Sequence, residues 1–365
     1  MSVRRLGLLG LSICSLPLFA LSACGSDSDG SPTGSGGTSG RGGGGGATAG
    51  RAGSGGATSH TAGSGGKGAE AGEAEQVGEG GTRGDGEAAG ASGEGGAGGA
   101  ADQEPTAVTL NFAARVGDLP FDCTKTYSSL GTAGFSAQPL DFRFYVHSVK
   151  LTGANGLTSD VALSVDGTWQ SARVALLDFE NHTGSCTSGN SATNTVIKGT
   201  VEPGHYTGVS FVVGVPFDLN HADQATATPP LDESGLWWGW AVGYRFMRLD
   251  FQPQPLGDVT APPTYFFHLG ATECVGANPD TGQVTSCGRP DLVTVALDDF
   301  DAAKHMIVID YAKLVEYSNL GINSLGAPGC MSELSDPDCV GPYAHLGLDL
   351  VTGQPSGTQS VFSVQ

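Results

Sequence analysis

The chain has 365 residues and a formal net charge of −20, with 17 Lys and Arg against 37 Asp and Glu. That balance excludes a nucleic-acid partner, because neutralising phosphates takes clustered cations. An acidic surface suits an exported protein and attracts cations without selecting one.

Residues 1–23 carry Arg4 and Arg5, an apolar run "LGLLGLSICSLPLFA" and then "LSA" before Cys24. A charged start, a short apolar stretch and small residues at the cleavage point make a signal peptide, too short for a membrane span. "LSAC" matches a bacterial lipobox, so Cys24 is expected to become the lipidated first residue of the mature chain. Gly25, where an aspartate would retain a lipoprotein at the inner membrane, points to an outer-membrane lipoprotein facing the periplasm or the cell surface. The lipid is then the chain's sole membrane contact.

The segment 24–104 that follows has nothing with which to build a core. Glycine supplies 31 of the 80 residues from Gly25 to Glu104, and Val77 is the one side chain with aliphatic bulk beyond Ala or Pro. Such a composition cannot offset the entropy of ordering a backbone, and the expectation is a disordered tether. As a Gly/Ser-rich coil it would reach roughly 50 Å.

Residues 105–365 read as β-structure. "VTLNFAARV" alternates Val108, Leu110, Phe112, Ala114 and Val116 against polar neighbours, the period of a half-buried strand. "FRFYVHSVKL" places Phe142, Phe144 and Val146 on one face and Tyr145, His147 and Val149 on the other. "TVIKGTVEPGHYTGVSFVVGVPF" forms two strands about Pro203-Gly204, and "YRFMRLDF", "TYFFHLG", "LVTVAL" and "HMIVIDYAKLV" complete the set, the last being partly helical. Many short strands separated by Gly, Pro and Asp predict an all-β fold, an antiparallel β-sandwich with long loops.

Six cysteines lie in this region, an even number that in an exported chain reads as disulfides. Short separations favour Cys274 with Cys287 and Cys330 with Cys339, leaving Cys123 with Cys186. None forms C-x-x-C, which argues against a zinc or thiol-redox motif. The absence of G-x-S-x-G, H-E-x-x-H and a phosphate-cradling glycine loop argues against an unassisted hydrolase.

Three histidines stand out from their surroundings. His147 is mid-strand, His221 follows a strand end in "VPFDLNHAD", and His268 follows two phenylalanines. Any one of them alone is adequately explained as a hydrogen-bonded structural residue. Three from separate strands suit a borderline or soft metal better than calcium or magnesium, with Asp223 placed to orient the His221 ring. Close by, "LWWGW" gathers Trp237, Trp238 and Trp240, three of the chain's four tryptophans.

The motifs "LDFRFYVHSVKL", "YTGVSFVVGVPFDLNHADQATATPPL", "LWWGWAVGYRFMRLDF", "FFHLGATEC", "PGCMS" and "DPDC" resemble the MbnP family, also described as the four-Cys protein of the metallo-mystery pair system. The resemblance spans nearly all of 108–350. It implies an exported copper-binding β-sandwich that is not itself an enzyme. It also implies a partner, a diheme MauG-like (MbnH-type) enzyme, which oxidises a tryptophan beside the copper-binding histidines to kynurenine. Carried over by motif, His147, His221 and His268 are the copper ligands and Trp238 or Trp240 is the modified indole, with Trp237 as packing. Two rival readings stand beside it: a metal-independent recognition or adhesion sandwich, and a copper redox enzyme.

Overall fold

The computed structural model describes residues 103–365; the signal segment, Cys24 and the glycine-rich stretch lie outside them. The first strand, β1 (Thr106–Val116), buries Leu110, Phe112, Ala114 and Val116, the alternation its sequence carries. The long strand β2 (Phe135–Gly153) is followed by β3 (Val174–Asp178), β4 (Val196–Val201) and β5 (Tyr206–Val213). Next come β6 (Met247–Pro253), β7 (Phe266–Leu269) and a hairpin of β8 (Thr272–Asn278) and β9 (Gln283–Arg289). The series ends with β10 (Val293–Asp298), β11 (Met306–Asp310) and β12 (Phe362–Val364).

Two sheets face each other. One runs β12, β11, β1, β4 and the short strand Ala162–Leu163; the other runs β10, β5, β2, β6, β7 and Gly329–Cys330, with β3 also on β2. Aromatic rings lock the faces: Phe112 of one sheet meets Phe144 and Phe211 of the other at centroid distances of 6.4 and 5.7 Å, edge to face. Phe362 closes the same cluster against Phe144 at 5.7 Å and Phe211 at 5.5 Å.

The architecture is the expected all-β sandwich, with two differences in detail. The sheets are mixed, because β1 pairs with β11 in parallel and β7 pairs with Gly329–Cys330 in parallel. The second concerns Val149, which the alternation of β2 puts beside His147 but which packs in the inter-sheet core. Ser148 is at φ 52 and the β2–β5 register shifts between His147 and Lys150, so a bulge rotates the following residues by one position. "HMIVIDYAKLV" divides as read, with a short helical turn at Tyr311–Leu314 capped by Asp310.

The outer face of the second sheet is covered. Tyr145, Val174 and Leu176 point away from the main core and form a second apolar cluster with Val215, Leu231, Leu236, Tyr244, Phe246 and Ala271. The chain between β5 and β6 and the β8–β9 hairpin supply that cover. All three cysteine pairs form as expected: Cys123–Cys186, Cys274–Cys287 and Cys330–Cys339. Cys274 and Cys287 face each other directly across the hairpin.

Candidate metal centre

The histidine–tryptophan region is built on the β5–β6 connection. After β5, Pro216 opens a single helical turn, α1 (Phe217–Asn220), and His221 ends it. Buried Asn220 then ties down the returning chain: its Oδ1 accepts from the Tyr244 N–H at 2.8 Å and its Nδ2 donates to the Val242 carbonyl at 3.0 Å. Gly243, at φ 79, has no room for a side chain, because a Cβ there would come within 2.3 Å of Asn220. This clamp returns the strand Gly243–Tyr244 against Trp237–Gly239 and presents the three indoles in sequence.

Each indole has a different neighbour. Trp237 lies edge-on to Tyr244 at 4.9 Å and to Trp240 at 5.6 Å, the packing role its position implies. Trp238 meets His268 edge to face at 5.9 Å, and the Arg245 guanidinium stands 5.4 Å from its ring centre. Trp240 is 37% exposed. It rests on the hairpin turn at Gly282, where an added Cβ would meet Trp240 at 2.8 Å and the His221 carbonyl at 3.1 Å. His221 and Trp240 thus share one side of the hairpin.

His221 is buried. Its Nε2 lies 3.2 Å from Asn220 Nδ2 and 3.4 Å from Cys287 Sγ, while Nδ1 is buried without a hydrogen-bond partner. Burial pushes its pKa down, partly offset by the nearby Trp240 backbone, so the ring is neutral and its lone pair is available to a metal near pH 7. Asp223 does not orient this ring as expected. Its carboxylate accepts from the Ala225 N–H at 3.0 Å and caps the next turn, Gln224–Thr226. An Asp two residues after the histidine is consumed by local backbone geometry.

His268, on β7, has Nδ1 engaged, accepting from Arg245 Nε at 3.3 Å, while Nε2 lies 3.0 Å from Asp250 Oδ1 without hydrogen-bond geometry. It sits at one end of a chain of charges. Asp141 accepts from Arg143 at 2.8 and 2.5 Å, Arg248 reaches Asp141 at 3.2 Å, and Arg248 Nε donates to Asp250 at 2.7 Å. The cross-strand register that sets Arg248 opposite Arg143 and Asp250 opposite Asp141 assembles it. Burial would raise the Asp250 pKa, but His268 and Arg248 outweigh it and hold the carboxyl below its usual range. Burial dominates at Asp141 and raises it despite Arg143 and Arg248.

His147 stands apart. Its Nδ1 lies 2.8 Å from Ser148 Oγ and its Nε2 is buried without a partner. It borders a cavity of about 300 Å³ with Asp160, Arg173 and Pro216. Burial and then the Arg173 charge push its pKa down to about 4, so the ring is neutral but its neighbour opposes a second cation. The ligand atoms of His147, His221 and His268 do not gather within 4.8 Å of one another; among the described residues the group that does is His221 with Cys274 and Cys287. Those two sulfurs are bonded to each other and are not thiolates.

The sequence reading missed Asn220, Arg245, Arg248 and Asp250. A signal was available for the last two, since "RLD" beside "LDFRF" sets charges at alternate positions of two core strands.

Fold and site together define a disulfide-pinned β-sandwich whose covered face joins imidazole and indole side chains. A comparison with protein-family models matches MbnP over residues 105–332. Among solved structures, MbnP from Methylosinus trichosporium is similar at 33% identity and a TM-score of 0.64, covering 72% of this chain and 99% of that one. No curated protein matches. The chain belongs to the MbnP family. Membership suggests a role in the methanobactin and copper system, with a metal association; the family is not a known enzyme family.

Proposed function

We propose that the chain is an exported copper-binding protein, tethered to the outer membrane through lipidated Cys24, which captures or buffers copper and is not a catalyst. The observation that carries this reading is the imidazole–indole contact of His268 edge-on to Trp238, with the His221 backbone carbonyl and the Trp240 ring meeting at Gly282 nearby in the chain. Neutral imidazole suits copper. The site fits in part as it stands: His221 Nδ1 is an orphaned buried nitrogen, whereas His268 takes a metal after Arg245 leaves its Nδ1. His147 is the weakest member of the set because Arg173 repels a cation there. Asp250 holds His268 in orientation, as carboxylates beside metal-binding imidazoles do.

A diheme MauG-like enzyme would act on Trp240 rather than Trp238. Withdrawing an electron from an indole leaves positive charge, which the guanidinium over Trp238 opposes and which no such contact among the described residues opposes at exposed Trp240. Kynurenine carries a ketone and an aniline, polar groups that indole lacks. Tandem mass spectrometry of the peptide spanning Leu236–Arg245, from cells that carry the diheme enzyme, tests this. Modification at Trp240 is expected; modification at Trp238, or at neither, contradicts it.

A further inference from the structure

We propose that opening the Cys274–Cys287 disulfide creates a second metal site, in which both thiolates and His221 Nε2 hold one soft d10 cation such as Cu(I) or Zn(II). The three side chains already converge, their ligand atoms all within 4.8 Å and Nε2 only 3.4 Å from Cys287 Sγ. Tetrahedral coordination with ordinary zinc–sulfur and zinc–nitrogen bonds sets an N···S edge of roughly 3.5 Å, the spacing already present between Nε2 and Cys287 Sγ. The sulfurs must part by roughly 2 Å from bonding distance, which rotation of the two side chains provides while the hairpin strands stay paired.

The surroundings favour the same nitrogen. Asn220 Nδ2 contacts His221 Nε2 but also donates to the Val242 carbonyl, so a metal that takes the lone pair leaves that amide satisfied. Thiolate together with imidazole selects soft cations over calcium or magnesium. Access is also uneven among the three disulfides. Cys123, Cys186, Cys330 and Cys339 are each 2% exposed or less. Cys274 and Cys287 are half-buried, and a half-open cavity of about 260 Å³ reaches Cys287 between Phe217, Phe246 and Leu292. A dithiol reductant entering there transfers two electrons and two protons to the disulfide and is itself oxidised to a disulfide; on metal binding the two thiol protons are released.

The inference rests on His221 being free to ligate, as the reading above does, but it uses Nε2 on the hairpin side and requires neither His268 nor an indole. The test is Cd(II) titration of the full chain before and after limited treatment with a dithiol, with alkylation and peptide mapping to locate the opened bond. Opening of Cys274–Cys287 alone is expected, followed by one equivalent of Cd(II) with a thiolate charge-transfer band. That band should be missing in the untreated chain and in Cys274→Ser/Cys287→Ser, and binding should weaken at least tenfold in His221→Ala. Prior opening of a buried pair, no band after reduction, or unchanged binding in His221→Ala would each overturn the proposal. His268→Ala separates the two readings: it should impair copper binding by the oxidised chain and leave the Cd(II) site intact.

Discussion

The Nδ1 of His268 is occupied by Arg245, and its Nε2 faces the Asp250 carboxylate at 3.0 Å. A metal that binds this ring competes with a charged hydrogen bond, and such bonds contribute about 1.5–3 kcal/mol. Arg245→Gln keeps a donor for the Trp237 carbonyl, which Arg245 bonds at 3.0 Å, but removes the cation beside the ring. It should tighten copper binding about tenfold, measured by competition with a chromophoric chelator; equal or weaker binding by the folded variant counts against the assignment of His268. A second buried residue sets a pH response. Asp291 is fully buried, and burial lifts its pKa from 3.8 to about 6, with Arg289 opposing the shift. Because the folded value is the higher one, the folded chain keeps a proton that the unfolded chain has released. Its contribution to stability is therefore complete below pH 3.8 and is lost as pH rises to about 6, amounting to about 3 kcal/mol. Asn tolerates the φ of 50 found here. Denaturant melts across this window should thus show a shallower decline for Asp291→Asn than for the parent; parallel curves would exclude the linkage.

The strands were legible because alternation is a local property. Val108, Leu110, Phe112, Ala114 and Val116 face where the period of two puts them, and the pattern fails at Val149 because the bulge at Ser148 depends on a non-helical, positive-φ residue that apolar spacing does not encode. Cysteine pairing was legible for a similar reason, since two of the three bonds close short segments. Those lengths also rank the disulfides. Cys123–Cys186 closes 63 residues and Cys330–Cys339 closes 9. Loop-closure entropy then assigns about 4 kcal/mol to the first and between 2 and 3, about 2.6, to the second. Replacing Cys123 and Cys186 by Ala should lower the denaturation midpoint more than the same change at Cys330 and Cys339. The reverse order would place the stabilisation in native packing instead.

The assembled site was less legible, because its contacts depend on where two long connections cross the outer face of a sheet. His221 and the Cys274–Cys287 hairpin are far apart in sequence and meet only through that cover, and nothing in the spacing of "LNHAD" announces a disulfide at 3.4 Å. The chain of Asp141, Arg143, Arg248 and Asp250 likewise needs the β2–β6 register before its charges meet. What the motifs did identify was the pairing of residue types, imidazole with indole, which the fold realises between His268 and Trp238 and not as one three-histidine cluster. The direct test is copper stoichiometry of the intact, oxidised chain isolated from copper-supplemented cells carrying the diheme enzyme, set against His221→Ala and His147→Ala. One copper per chain, lost in His221→Ala and retained in His147→Ala, is the predicted result. A chain free of copper, or one whose copper survives the loss of His221, would contradict the account.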